Sequence, residues 1–205
     1  PNNKALKIIE NYIQAGYGVL AGHDSIGLFN YGGLNYLRKY FNIDVGIHIN
    51  YPPSKFGLSD RTVDYNQCWF YGSSIVEVTK NGLLTNFPYE LPLGTKLTVP
   101  WTHISSQAAK GDIWMKLVDG EDNVWNAGSI QNYYNVGGTG DAQYYLTTYN
   151  NTAMIQTGSS KETGGEYTSD ERKVLANTLF YLKQRTKATS FTDNSGQDLK
   201  APNAP

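Results

Sequence analysis

The chain has 205 residues and a formal net charge of -1, and charged residues make up 17% of it. This length suits one medium-sized domain with a substantial hydrophobic core, whereas the near-neutral charge argues against nucleic-acid binding, which requires a basic surface. The single cysteine, Cys68, excludes an intrachain disulfide and a cysteine-rich zinc site. No apolar run reaches the roughly 18 residues of a membrane-spanning helix.

The N-terminal quarter of the chain is predicted to alternate helices with strands. A helix is expected within residues 3–15, because apolar residues recur there at intervals of three and four. A short buried strand is predicted at 17–22, and a second helix at 29–41 with its leucines and Phe41 facing inward. A further strand is predicted at 44–49, before two consecutive prolines.

The middle of the chain is predicted to consist mainly of strands and turns. Asn81–Gly82 is a strong signal for a β-hairpin. Strands are also expected within 95–107, where a polar loop follows, and at 111–120. The stretch 143–160 predicts a hairpin with Asn150 and Asn151 at its turn. Helices near both ends of the chain, with strands between them, favour an α/β fold around a central sheet.

The last predicted element is a helix that begins after Thr168 and continues to about Gln184. Thr168 and Glu171 have the spacing of a capping box, in which a threonine and a glutamate satisfy the first backbone amides of a helix. The apolar spacing predicts one buried stripe. Its predicted members are Val174, Leu175, Thr178, Leu179 and Leu182.

The composition also predicts how this chain is organised and where it works. Residues 1–186 are expected to form a single α/β domain. Residues 187–205 are rich in proline, asparagine and serine, and are predicted to be a linker or a C-terminal tail that leads to a further domain. Few charges combined with many tyrosine and asparagine residues favour an extracellular or cell-wall-attached protein.

The stretch "GVLAGHDSIG" at residues 18–27 is the first candidate functional segment. It predicts a buried strand that ends at His23 and Asp24. In open α/β sheets, ligands bind outside the carboxyl ends of the strands. We therefore expect this turn to lie at the ligand-facing edge of the sheet.

Three stretches of the chain resemble known domains. "NNTAMIQTGSSKETGGEYTSDERKVLANTLFYL" at 150–182 resembles the C-terminal end of class I glutamine amidotransferase-like domains, in particular their trehalose-utilisation branch. "GLLTNFPYELPLGTKLTVPWTHISSQ" at 82–107 and "GHDSI" at 22–26 resemble an uncharacterised domain of large bacterial surface proteins. The resemblance implies a flavodoxin-like three-layer sandwich with a mainly parallel central sheet and β-hairpin additions.

This chain departs from the pattern of these amidotransferases at the residues that glutaminase chemistry requires. Working amidotransferases use a nucleophilic cysteine on a tight strand-to-helix turn, where the neighbouring residues must be small. Cys68 instead lies between Gln67 and Trp69. Ser159 also stands where the resemblance implies a histidine. Cys68 is therefore predicted to be a small buried side chain.

The candidate catalytic residues are His23, Asp24 and His103, which also form the candidate metal site. Two imidazoles and a carboxylate suit zinc or another divalent transition metal, although no cofactor is certain from this spacing. The alternative is that each histidine is a hydrogen-bonded turn residue, and that Asp24 caps the following turn.

The candidate ligand-binding residues are Ser25, Trp101, Thr102, Gln107 and Ser159. An aromatic ring beside hydroxyls and amides is typical of a carbohydrate site, because the ring packs on sugar C–H groups while polar groups bind the hydroxyls. The alternative for Trp101 is a place in the core. A nucleophilic Ser25 is a weaker hypothesis, since no Gly-x-Ser-x-Gly motif surrounds it.

Three functions follow as hypotheses. The first is a non-catalytic extracellular module of a bacterial surface protein that binds a carbohydrate or another cell-surface ligand, next to neighbouring domains of the same chain. The second is a hydrolase that acts on a glycan-type substrate through His23, Asp24 and His103, with or without a metal. The third is a structural spacer. Convergence of the three side chains in one pocket would favour the enzyme.

Overall fold

The computed structural model describes residues 3–26, 35–45, 48–50, 62–64, 71–103, 107–122, 140–158, 167–186, 191–192 and 198–199. Within them the helices are α1 (Asn3–Gln14), α2 (Arg38–Phe41), α3 (Leu83–Asn86) and α4 (Ser169–Arg185). Single 3-10 turns lie at His23–Ser25 and Asn35–Leu37. None of these helices combines the length and the apolar character that crossing a membrane requires.

The strands of the described residues form one large sheet and three small two-stranded ones. The large sheet contains β1 (Val19–Gly22), β5 (Tyr71–Val78), β6 (Lys96–His103), β8 (Asp112–Val118), β9 (Glu121–Asp122), β10 (Tyr144–Tyr149) and β11 (Thr152–Ile155). The small sheets pair β2 (Ile43–Val45) with β7 (Gln107–Ala109), β3 (His48–Asn50) with β4 (Thr62–Asp64), and β12 (Phe191–Thr192) with β13 (Asp198–Leu199).

The large sheet is mixed, so the expectation of a mainly parallel sheet is wrong. Its strand order is β1-β11-β10-β8-β5-β6, with β9 also pairing with β5. Among the described strands only β1 and β11 pair in parallel, and the other pairs are antiparallel. Parallel neighbours need long crossover connections, whereas a tight turn at Asn150–Asn151 joins β10 directly to β11. The structure establishes a mixed α/β fold, and it does not confirm the flavodoxin-like arrangement.

Apolar cores lie on both faces of this sheet. One core contains residues of α3 and α4, including Leu84 and Val174, and the other contains residues of α1 and α2, including Leu6 and Phe41. Successive side chains of a strand point to opposite faces. Accordingly, the neighbours Met154 and Ile155 on β11 belong to different cores.

Most of the elements predicted for the N-terminal half are present, with different boundaries. The first helix and the first strand are confirmed as α1 and β1. In the second predicted helix, the described part starts with a 3-10 turn and ends as the short α2, with Leu37 and Phe41 buried as expected. The strand predicted at 44–49 is instead two separate strands, β2 and β3.

The two predicted hairpins have opposite outcomes. Asn150 has a φ of 52° in the turn between β10 and β11, which confirms the hairpin there. The hairpin predicted at Asn81–Gly82 is wrong, because this dipeptide precedes helix α3. Gly82 N–H donates to Thr85 Oγ1 over 3.0 Å, and Thr85 N–H donates to Gly82 O over 3.1 Å. The local polar group of Thr85 thus favours a helix start over a strand turn.

Helix α4 begins as predicted but presents a different buried face. Glu171 N–H donates to Thr168 Oγ1 over 3.1 Å, which confirms Thr168 as the N-cap. The Glu171 carboxylate enters the core and bonds to Tyr145, not to the N-cap as a capping box requires. Val174, Thr178 and Leu182 are buried as expected, but Leu179 is 57% exposed. Asn177 and Tyr181 are buried in its place.

The large sheet is curled, and this curl positions the candidate site. A Cβ atom on Gly158, just beyond β11, would lie only 2.1 Å from the carbonyl oxygen of Trp101 on β6. The chain leaving β11 therefore runs directly against the far edge strand of the sheet. Only a residue without a side chain permits this approach. The curl brings the end of β6 close to the ends of β11 and β1.

Candidate functional site

His23 and His103 come together at the edge where β1 and β6 end. His23 directly follows β1, and His103 is the last residue of β6. Their ring centroids lie 4.7 Å apart with an interplanar angle of 85°, which is an edge-to-face contact. Both side chains are half-buried. These two histidines, which were assigned to one candidate site from the sequence, therefore lie in direct contact.

The indole of Trp101 extends this aromatic surface. Its ring centroid lies 5.7 Å from that of His103, at an interplanar angle of 48°. Gly72, which pairs with His103 in the sheet, makes room for the indole. A Cβ atom at Gly72 would lie 2.1 Å from the indole Cζ2 atom. The absence of a side chain at Gly72 therefore allows the indole to lie against the Gly72 backbone. We call His23, Trp101 and His103 the imidazole site.

A buried hydrogen-bond network lies beside the imidazole site. Gln107 Nε2 donates to the backbone oxygen of His23 over 3.3 Å, while Gln107 Oε1 accepts from the Tyr144 hydroxyl. Gln156 Nε2 donates to Gln107 Oε1 over 3.1 Å and to the Tyr144 hydroxyl over 2.7 Å. All three side chains are at most 2% exposed. This network fixes the backbone of the turn that carries His23.

Two members of this network, Tyr144 and Gln156, were not predicted from the sequence as site residues. Gln156 directly follows β11, whose Ile155 pairs in parallel with Gly22. Residues that follow paired ends of parallel strands lie side by side. The place of Gln156 after β11 could have identified it as a site residue, but only if the pairing of β1 with β11 had been known. Gln156 Oε1 is buried and has no hydrogen-bond partner among the described residues.

The remaining predicted residues have different outcomes. Ser25 Oγ donates to the backbone oxygen of Gly22, so it closes its own turn, as the structural alternative expects. Thr102 is 1% exposed, and its Oγ1 has no partner within the described part of the chain. Ser159 and the side chain of Asp24 lie outside the described residues, as does Cys68.

The described residues supply part of a metal site. No group of three or more histidine, cysteine, aspartate or glutamate side chains that could hold a metal ion occurs among them. Catalytic zinc sites use three protein ligands. His23 and His103 could supply two of these, and the carboxylate of Asp24 would have to supply the third. The metal site therefore stays a prediction.

Neutral imidazoles each offer one hydrogen-bond donor and one acceptor, and the indole face offers an apolar surface. The imidazole site can therefore bind hydroxyl groups and a C–H surface at the same time. Comparisons of the chain with protein-family models, with curated proteins and with solved structures give no match.

Proposed function

We propose that this chain is an extracellular module that binds a carbohydrate or a related hydroxyl-rich ligand at the imidazole site. The observation that carries this proposal is that His23, which follows β1, meets Trp101 and His103 of β6 in one half-buried aromatic surface. A sugar ring presents C–H groups on its faces and hydroxyls around its rim. An indole with imidazoles beside it matches both.

The buried network supports a binding role because it makes the site rigid before a ligand arrives. Gln107 holds the His23 carbonyl, and the indole of Trp101 packs into the space that Gly72 leaves. A preorganised surface loses less conformational entropy on binding. Binding of a ligand by this rigid surface does not require that a covalent bond of the ligand be broken.

The proposed extracellular location rests on the composition and on the resemblance to domains of bacterial surface proteins. Helices on both faces of the sheet are compatible with the resemblance to amidotransferase-like domains. The antiparallel pairing of most strands speaks against a strict flavodoxin-like topology. Adhesion to glycans, as one module of a longer protein, is the role that we propose.

The test is calorimetric titration with soluble oligosaccharides of chitin, cellulose, xylan and mannan, and with peptidoglycan fragments. Trp101→Ala should abolish binding of any oligosaccharide that the wild-type chain binds. Tyr149→Ala is the matched control, because Tyr149 is a 39% exposed aromatic on β10, away from the imidazole site. Equal binding by the Trp101→Ala variant would refute the site.

A glycan-directed hydrolase is the second candidate, and the contact between two imidazoles favours it. One imidazole could act as a general base while the other donates a proton, or both could bind a divalent metal together with Asp24. Elemental analysis of the purified chain, repeated on His23→Ala and His103→Ala, tests the metal form. A stoichiometric metal that both variants lose would favour the hydrolase, and assays with chromogenic glycosides would then follow.

A further inference from the structure

Helix α4 contacts the two edge strands of the large sheet, β6 and β1, in different ways. On β6, Thr98 has both backbone groups engaged: Thr168 Oγ1 donates to Thr98 O over 2.6 Å, and Thr98 N–H donates to Asp170 Oδ2 over 3.0 Å. The start of α4 thus covers this edge. Covered edges are a common protection against pairing with other chains.

The opposite edge strand, β1, keeps an open pairing position. Val19 N–H donates to Asn151 O over 3.1 Å, so Val19 and Ala21 turn their backbone groups toward β11. Leu20 consequently turns its N–H and C=O to the other side, where β1 has no strand neighbour in the described sheet. One position earlier, Gly18 N–H donates to Thr186 Oγ1. Leu20 is therefore the first backbone position that another strand could reach.

An apolar groove with a volume of about 340 Å³ runs beside this open position. Leu20, Tyr12, Tyr17 and Leu179 line it. The two tyrosine rings stack with centroids 4.6 Å apart. The exposed fractions of Tyr12 and Leu179 are 49% and 57%, which is high for large apolar side chains flanking one strand.

The charged side chains that line this groove and the cavity beside it are positive. Lys183 lines the groove itself, and Arg185 lines an adjoining cavity with a volume of about 370 Å³. No acidic residue of the described chain lines either cavity. A partner that fills the groove and carries acidic side chains would complement these cations.

We propose that the open edge of β1 binds an extended peptide segment of another protein, by strand addition, and that this segment combines apolar and acidic side chains. The Leu20 backbone supplies the ladder hydrogen bonds, the groove takes an apolar side chain, and Lys183 and Arg185 attract carboxylates. This surface is separate from the imidazole site, and the proposal does not depend on the proposed function.

Two other occupants fit the groove less well. A sugar could stack on Tyr12 or Tyr17 but would not use the N–H and C=O of Leu20 as a paired strand does. A second copy of this chain would bring its own Lys183 and Arg185 into the same interface, where like charges repel. An acidic, extended peptide satisfies the open backbone groups, the apolar groove and the cations together.

The test uses two acetylated and amidated heptapeptides, one alternating valine with glutamate and one alternating valine with lysine. NMR titration and amide hydrogen exchange of the full chain follow the Leu20 N–H. We expect the glutamate peptide to slow exchange of this amide at least about tenfold, and to bind at least about tenfold more tightly than the lysine peptide. If the Leu20 amide is not protected at saturating or millimolar peptide, the proposal is overturned.

Variants of Leu20 separate the backbone from the side chain. Leu20→Pro removes the outward N–H but no bond to β11, whereas Leu20→Ala keeps that N–H and removes the side chain. Glutamate-peptide binding should be lost in Leu20→Pro and retained in Leu20→Ala. Equal binding by both variants, or a Leu20 signal that moves with protein concentration alone, would contradict a peptide site. If Leu20→Pro does not fold, amide exchange in the wild-type chain decides.

Discussion

The hydroxyl of Tyr145 donates a 2.7 Å hydrogen bond to Oε1 of Glu171 inside the core between β10 and α4. Both side chains are fully buried, and Glu171 Oε2 has no partner among the described residues. Burial raises the pKa of the Glu171 carboxyl above its usual value of 4.5, against a lowering effect of the Tyr145 bond. Burial also raises the pKa of Tyr145 well above its usual value. The core therefore favours the protonated carboxyl.

From the raised pKa of Glu171 we expect the free energy of unfolding to decrease as pH rises. A pKa that is higher in the folded than in the unfolded state means that the folded chain binds more protons, so the Glu171 contribution is complete below pH 4.5 and is lost as pH rises through the folded pKa. Glu171→Gln should remove this contribution and raise the free energy of unfolding at neutral pH relative to the wild type. Urea unfolding between pH 4 and 8 measures the free energy of unfolding of the wild type and of the variant. The same pH dependence of that free energy in both proteins would contradict this role of Glu171.

Glu10 predicts the opposite pH dependence. Its carboxylate accepts from Lys7 Nζ over 2.8 Å and from the Tyr40 hydroxyl over 2.7 Å. The hydrogen bond from Lys7, followed by that from Tyr40, lowers the pKa of Glu10 to about 2. The stability that this group contributes is therefore present above pH 4.5 and is lost as pH falls toward 2.

Glu10→Gln should consequently be less stable than the wild type at neutral pH, and the difference should vanish near pH 2. Acid unfolding followed by circular dichroism measures this difference. Lys4→Gln is the control, because it removes a charge of α1 that does not bond to Glu10. A constant difference across the whole pH range would show that packing, and not ionisation, is responsible.

Gly72 and Gly22 form a matched pair of glycines near the imidazole site. A Cβ atom at Gly72 would collide with the Trp101 indole, whereas among the described residues one at Gly22 would meet nothing closer than Thr157 Oγ1 at 3.6 Å. We expect Gly72→Ala to destabilise the fold by about 1–3 kcal/mol through overpacking and to change the Trp101 fluorescence. Gly22→Ala should leave both unchanged. Thermal unfolding and fluorescence spectra distinguish them, and equal behaviour would contradict the packing of the indole on Gly72.

Thr168 joins the start of α4 to β6 and should matter for stability. Its hydroxyl accepts from Glu171 N–H and donates to Thr98 O. Thr168→Ala removes both bonds and should lower the free energy of unfolding by about 1–2 kcal/mol. Thr168→Ser keeps the hydroxyl and should lose only a small part of this stability. Urea unfolding of the two variants is the measurement, and a serine variant as weak as the alanine one would show that the methyl group matters instead.

Local signals in the sequence predicted local structure well. The Asn150–Asn151 turn and the Thr168 cap depend on neighbouring residues, and both are present. Asn81–Gly82 misled because its turn signal is equally compatible with a helix start once Thr85 bonds back to Gly82. The exposed Leu179 shows that an apolar spacing does not fix which face of a helix becomes buried.

The long-range part of the fold was harder to predict. His23 and His103 were expected to share one site, but their contact depends on the curl of the sheet, because β1 and β6 are its opposite edge strands. The network of Tyr144 and Gln156 was not expected, because it depends on β1 lying beside β11 and on the curl of the sheet. Both depend on pairings between distant segments, which no local pattern specifies.

The pairing of β1 with β11 also determines when the start of the chain can fold. Val19 pairs with Thr152, and the described sheet gives β1 no other neighbour. During synthesis on the ribosome, the N-terminal strand must therefore remain without its partner until Thr152–Ile155 has emerged. The antiparallel strands β5, β6 and β8 can associate earlier, since they lie close together in sequence. The pairing of β1 with β11 thus requires a contact between segments more than 120 residues apart in the chain, whereas β5, β6 and β8 pair over shorter separations.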